Sequence, residues 1–247
     1  MAQPLPEFLR SLGKEDIKPG GAYATRTALS RLGLQSKQRL LVVGPGAWHT
    51  AIYTALMFRV QATALLASAD DIKPCDDAQL ARRLSGEVGS VTSLPFEAQA
   101  FDAALVEAEL SYLEPAKQAL ALLELQRVLK PRARIALHEL AWRQAPTPAV
   151  EGRLREVWGA VVWPRVTRGW WDALEAAGFE AVQSELAVVS YFTRKGLETD
   201  EGDNALHVLH SAFESEAALR RFAAAYREFQ ENRRYYGVMI ATARKAG

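Results

Sequence analysis

Gly44 and Gly46 stand two residues apart directly after the apolar run "RLLVV" (39–43). Glycine has no Cβ and reaches positive φ, so this spacing lets the backbone pass close to a bound molecule. Around such a turn a few side chains have the right chemistry to act. Glu107 and Glu109 close a second apolar run, "FDAALV", and His138 with Glu139 closes a third, "ARIAL". Carboxylates and an imidazole are the groups that move protons or orient a polar ligand near neutral pH. For Glu107 the readings are a contact to a ligand in the cleft or a solvated strand end. For His138 they are a general base or a hydrogen-bonded histidine on the rim of a sheet. His49 either opens on the same cleft or solvates the helix that follows. His207 and His210 sit three apart without a third ligand, and Cys75 is the single cysteine, so no metal site is expected.

These residues must be positioned by strands and helices, and the apolar spacing supplies them. "EFLRSLG" reads as a short helix, and "AYATRTALSRLGL" as a second with Ala24, Ala28, Leu29 and Leu32 at helical spacing. "QRLLVVG" is an unbroken apolar strand, "HTAIYTALMFRV" a helix and "ATALLAS" a second strand. "CDDAQLARRLSG" reads as a helix and "GEVGSVTSL" as a weak third strand. "FDAALVEAEL" is a fourth strand, "AKQALALLELQRVLK" an amphipathic helix and "ARIALHEL" a fifth strand. Alternation over 38–141 predicts a parallel, right-handed α/β sheet with ligands at the C-terminal strand ends. Beyond it come the helix "GWWDALEAAGF", the strand "EAVQSELAVVSYF", the helix "SEAALRRFAAAYREFQEN" and the strand "YYGVMIATARK". The two late strands predict an antiparallel edge pair joined through a helical excursion.

A nicotinamide fingerprint would need glycine or alanine where His49 stands and an acid ending the second strand, which argues against a dehydrogenase. A different pattern fits better. "VTSLPFEAQAFDAALVEAELSYL" followed by "ALALLELQRVLKPRARIALHE" resembles the class I S-adenosylmethionine-dependent methyltransferases of small-molecule type. "KPGGAYATR" and "WWDALEAAGFEAV" are similar to an early and a late element of the same superfamily, so the resemblance covers about residues 18–190. It implies a Rossmann-like fold with a seven-stranded, mostly parallel sheet, an antiparallel edge hairpin and a helical insertion. The expected organisation is one domain: a helical segment 1–36, a cofactor-binding half 38–141, and a substrate cap with C-terminal strands over 142–247.

Carried over by position, the resemblance places Gly44 and Gly46 against the methionine part of S-adenosylmethionine. Glu107 would lie at that same end. The family's third turn glycine is Trp48 here, its ribose-binding acid is Leu66, and its adenine-side acid is Ser90, followed by Val91. Asp70 and Asp71 are near enough in sequence to replace the acid at Leu66, or else they solvate a loop. Each lost charged acceptor is worth roughly 1.5–3 kcal/mol of binding. Two readings therefore stand: methyl transfer to a small acceptor, with Glu107 and His138 as candidate catalytic groups, or a methyltransferase-fold binding module that has lost its cofactor, with Trp48 filling the vacated site.

Five of six tryptophans, Trp142, Trp158, Trp163, Trp170 and Trp171, cluster between the fifth strand and the late helix. They either line a pocket for a planar or cationic molecule or pack a cap. With 30 basic and 29 acidic residues the chain has no general attraction for nucleic acid. No apolar stretch approaches the roughly 20 residues of a membrane span, and the N-terminus lacks the order of a secretion signal. The expectation is a cytoplasmic protein, monomeric or homodimeric, with a small-molecule partner.

Overall fold

The computed structural model describes residues 3–159 and 162–247. Its centre is a mixed sheet. The strands are β1 (Arg39–Val43), β2 (Gln61–Leu66), β3 (Leu84–Val88), β4 (Phe101–Glu107), β5 (Leu129–Trp142), β6 (Arg165–Val166), β7 (Phe179–Ala187) and β8 (Tyr236–Lys245). They lie in the order β3-β2-β1-β4-β5-β8-β7, with the short β6 beside the end of β5. The β1, β2, β3, β4 and β5 pairings are parallel, whereas β8 enters antiparallel between β5 and β7. This is the Rossmann-like, mostly parallel arrangement with an antiparallel edge that the resemblance implies, its seven strands joined by the short β6.

The helices are α1 (Leu5–Ser11), α2 (Gly21–Leu32), α3 (Ala47–Phe58), α4 (Ala78–Ala81), α5 (Pro115–Val128), α6 (Pro148–Trp158), α7 (Thr167–Ala176), α8 (Arg194–Glu201), α9 (Ala205–Phe213) and α10 (Glu216–Glu231). Because side chains alternate along a strand, each inner strand feeds two layers. Leu41, Val43, Val106, Ile135 and Leu137 pack in the layer that holds α5 and α7. Leu40, Val42, Leu105 and Ala136 pack in the opposite layer, with Ala24 and Ala28 of α2 and Ala51 and Ala55 of α3.

A third apolar cluster joins α1, α6, α8, α9 and α10 over the far ends of β5 and β8, where Leu140, Trp142 and Tyr236 project. The tryptophans settle here and in the sheet layers. Trp142 and Trp158 belong to this cap and Trp170 to the α5–α7 layer, all three buried. They are packing groups, because burying an indole removes more apolar surface from water than any other single side chain offers.

Two local expectations are corrected. The helix over 75–86 shrinks to the single turn α4, because residues 84–88 instead pair with β2 in register Ala62↔Leu84 to Leu66↔Val88. The third strand thus begins before "GEVGSVTSL", and most of that stretch is irregular. The fifth strand runs past "ARIALHEL" at both ends, since Leu129 pairs with Phe101 of β4 at its start and β8 pairs with it as far as Trp142 at its end.

Candidate active site

The turn after β1 has two differently employed glycines. At Gly44, φ is 125°, and a Cβ there would sit 2.0 Å from the carbonyl oxygen of Glu107. Gly44 therefore serves the close passage of two strand ends. Gly46 adopts φ 79° and caps α3 with no side-chain bond, and a Cβ there would meet nothing within 4 Å. That open space belongs to a cavity of about 560 Å³. Its walls are Pro45, Gly46 and His49 on one side, and the segment from Arg10 to Lys18, with Asp200, on the other. A cavity of this size suits a small metabolite.

Helical geometry decides what faces it. Successive residues of α3 turn by about 100°, so His49 is exposed on the cavity wall while Ala47, Trp48 and Ala51 face the sheet. Trp48 is 7% exposed and packs in the same apolar cluster as Leu66, with its indole N–H lacking a partner. The indole therefore does not line the cavity at Gly46 but packs beside Leu66, the position where the resemblance expects a ribose-binding acid.

Glu107 shares the face of Leu105, as strand alternation requires, and so points beneath α2 and α3. Its carboxylate is fully buried. Thr25 donates to one oxygen at 2.5 Å and Thr50 to the other at 2.7 Å. Lys18 Nζ stands 3.5 Å away and His138 Nε2 3.2 Å, the latter at ion-pair distance but outside hydrogen-bond alignment. Burial pushes the Glu107 carboxyl up; Lys18, His138 and Thr25 outweigh it and hold it at about 2. For Lys18, burial lowers the affinity for its proton, and Glu107 with Asp16 more than restores it. An ionised pair thus underlies the cavity, with Lys18 reaching its wall.

This corrects the picture of Glu107 as a solvated strand end and of His138 as a rim histidine. Both are fully buried, in contact with each other, and neither lines the cavity. The other expected cofactor contacts separate. Leu66 and Val91 are buried, while Ser90 and Asp70 are exposed. Asp70 lies on a short 3₁₀ turn whose amide donates to Ser68. None of these four lines the cavity at Gly46. Cys75 is half-buried, and His207 and His210 are exposed on α9. Among the described residues no cluster of three or more His, Cys, Asp or Glu suited to a metal occurs.

Sequence reasoning missed the segment that closes the cavity. Lys14 is buried and bonded to Glu201 at 2.7 Å, with Asp200 at 3.6 Å. Glu201 also accepts from the amides of Glu15 and Asp16, and Asp200 accepts from the amide of Ala22 and from Ser190. The only signal was the charge-rich "GKEDIK", whose first four residues find their partners at 200–204, more than 180 residues away.

Residues 41–137 match a family described as a methyltransferase domain. An uncharacterised protein of Haemophilus influenzae is 26% identical over 217 residues, 85% of each chain. Among solved structures, the [4+2]-cyclase SpnF is 26% identical with TM-score 0.69, covering 91% of this chain and 80% of that one. A phosphoethanolamine N-methyltransferase of Haemonchus contortus, in complex with S-adenosyl-L-methionine, aligns over 98% of this chain and 57% of its own (16% identity, TM-score 0.74). A putative sarcosine dimethylglycine methyltransferase of Galdieria sulphuraria aligns over 90% and 83% (15% identity, TM-score 0.73).

Proposed function

We propose that this chain is a class I S-adenosylmethionine-dependent methyltransferase that transfers a methyl group to a small acceptor; the match of residues 41–137 to a methyltransferase domain and the likeness of its fold to solved methyltransferases support the reading. The cavity at Gly46 carries the proposal, because it opens where a Cβ is missing and is walled by charges of both signs. Its chemistry fits an α-amino acid moiety such as the methionine end of the cofactor. The uncapped first turn of α3, His49 and Lys18 suit a carboxylate, and Asp16 or Glu15 suits an ammonium group. When bound, S-adenosylmethionine would supply an electrophilic methyl on sulfur.

The ribose end fits less well. Leu66 offers no acceptor, so ribose hydroxyls would depend on Asp70 or on backbone carbonyls. For the transfer itself, alignment of acceptor and methyl matters most. The N-terminal segment and the glycine turn hold that alignment, and the His49 imidazole takes a proton where the acceptor carries one. Glu107 acts from below, by keeping Lys18 charged and in place, with His138 packed against the same carboxylate. We further propose a cytoplasmic protein with a small-molecule acceptor; among the described residues no helix is long and apolar enough to cross a membrane.

The second reading is a binding protein, or a catalyst of another reaction, without methyl transfer. Leu66 favours it, and the likeness to a [4+2]-cyclase is a reminder that the fold alone does not set the reaction. Calorimetric titration with S-adenosylmethionine and S-adenosylhomocysteine separates the two. Micromolar affinity supports the methyltransferase; no heat at millimolar ligand, with the protein folded, rejects it.

A further inference from the structure

Glu139 lies one residue past His138 on β5 and therefore on the opposite face, in the layer of Leu137 and Ala141. It is fully buried. Its Oε1 accepts the amides of Glu109 and Leu110 at 3.1 and 3.0 Å, and its Oε2 accepts the amide of Ser111 at 2.9 Å and the Ser111 hydroxyl at 2.6 Å. Four donors on two oxygens is the full complement of a carboxylate. No lysine, arginine or histidine forms an ion pair with it among the described residues. The titratable groups that face it are Glu109 and Tyr112, both on the loop it holds. His138 and Glu107 belong to the other side of the sheet, and across the strand pair its neighbour is the apolar Met239.

The loop in question leaves β4 through Ala108, whose φ is 50° and whose amide donates to the carbonyl of His138. Gln118 grips it from α5, donating to the carbonyl of Leu110, and Trp163 donates its amide to the carbonyl of Ser111. This is the ligand-facing end of a central parallel strand. We propose that Glu139 is a positioning residue for the loop 109–111 and that it grips the loop firmly only as a carboxylate, so that the loop's order follows the protonation of one buried acid.

Two opposed effects set the balance. The four donors suit the ionised form, whereas burial without a counter-ion and the neighbouring Glu109 favour the neutral one. Ser111 accommodates both forms. Its hydroxyl donates to the carboxylate, and when Oε2 carries a proton it accepts instead and turns its own hydrogen toward the Leu140 carbonyl, 3.5 Å away. What the neutral form loses is charge assistance to three amides. Burial, offset in part by Ser111 and the loop amides, places the carboxyl at about 7, so the change falls in the neutral range.

Amide hydrogen exchange on the intact chain tests this without any ligand. Protection factors of Glu109, Leu110 and Ser111 should fall together, roughly tenfold, as pH is lowered through neutrality. Glu139→Gln should give low, pH-independent protection at these three amides. Should that variant fail to fold, two milder ones still decide. Glu109→Gln removes the like charge and should move the midpoint down, and Ser111→Ala removes a donor to the carboxylate and should move it up. Flat protection in the parent protein, or a midpoint that Glu109→Gln leaves in place, overturns the proposal.

Discussion

Replacing Glu107 by glutamine keeps its volume and removes its charge, which isolates what the buried cluster contributes. Lys18 would retain Asp16, 3.7 Å away, and the more distant Asp200 as counter-ions, and would remain buried. At an effective dielectric of about 20, an ion pair at the 3.5 Å separation of Lys18 and Glu107 is worth roughly 5 kcal/mol before desolvation is counted. Breaking a buried pair by removing one member costs about 3–5 kcal/mol. The two threonines each donate to a different oxygen of Glu107. A glutamine NH₂ is best received by Thr25, whose hydroxyl can turn to the Gly21 carbonyl 3.4 Å away, so the lost charge rather than a lost hydrogen bond sets the cost. Urea denaturation at pH 7 should show a loss of about 3–5 kcal/mol, or roughly 10 °C in Tm. Adding Lys18→Met should recover at least about half, because the stranded cation is gone. The acid limb gives a second check. A carboxyl held at about 2 when folded and near 4.5 when unfolded stabilises the protein above the higher value, and that contribution is lost as pH falls between the two. Glu107→Gln should flatten this part of the stability profile. A single variant costing under about 1 kcal/mol, or a double variant no better than the single, refutes the ionised pair.

Further substitutions distinguish the roles of the turn residues. Gly44→Ala should cost more than about 3 kcal/mol in thermal or urea denaturation, since its Cβ would overlap the Glu107 carbonyl, whereas Gly46→Ala should cost only about 1 kcal/mol for its positive φ. Equal losses would mean that the β1–β4 approach is not the constraint. Trp48→Phe should stay within about 1 kcal/mol of the parent in urea, because the smaller ring loses contacts but removes a buried N–H without a partner. Trp48→Ala should cost about 3–5 kcal/mol. A phenylalanine variant as damaged as the alanine one would show that the indole nitrogen is satisfied after all.

The strands and the glycine turn were readable because they depend on near neighbours in sequence. "RLLVV", "FDAALV" and "ARIAL" are apolar throughout, as strands covered on both faces must be, and β1, β4 and the core of β5 follow them. The edge was harder: "LSGEV" has little apolar character, and only its ladder with β2 makes it a strand. At the site, residue type was legible and environment was not. Glu107 ends its strand where a polar ligand contact would be sought, yet its depth depends on Thr25, Thr50 and Lys18, none within 50 residues of it. Linear sequence does not give the rotation of α3; with the helix starting at Ala47, Trp48 is buried and the exposed position is His49.

The same distance effect explains how the cavity is held open. An N-terminal segment with two glycines beyond it would fray if tied only to its own neighbours. Here it is fastened from the other end of the chain: the Glu201 carboxylate takes the amides of Glu15 and Asp16 and the ammonium of Lys14, and Asn204 donates to the carbonyl of Gly13. The carbonyl of Pro19 receives the amide of Ser190, which fixes the start of α2 as well. Each of these bonds is modest alone, but they converge on Gly13, Lys14, Glu15, Asp16 and Pro19 and leave the wall opposite Gly46 in place before any ligand arrives. A wall built this way lowers the ordering cost of binding. It also separates two duties among the acids: Asp200 and Glu201 hold the wall, and Glu107 holds the one lysine that reaches from the buried cluster to the cavity.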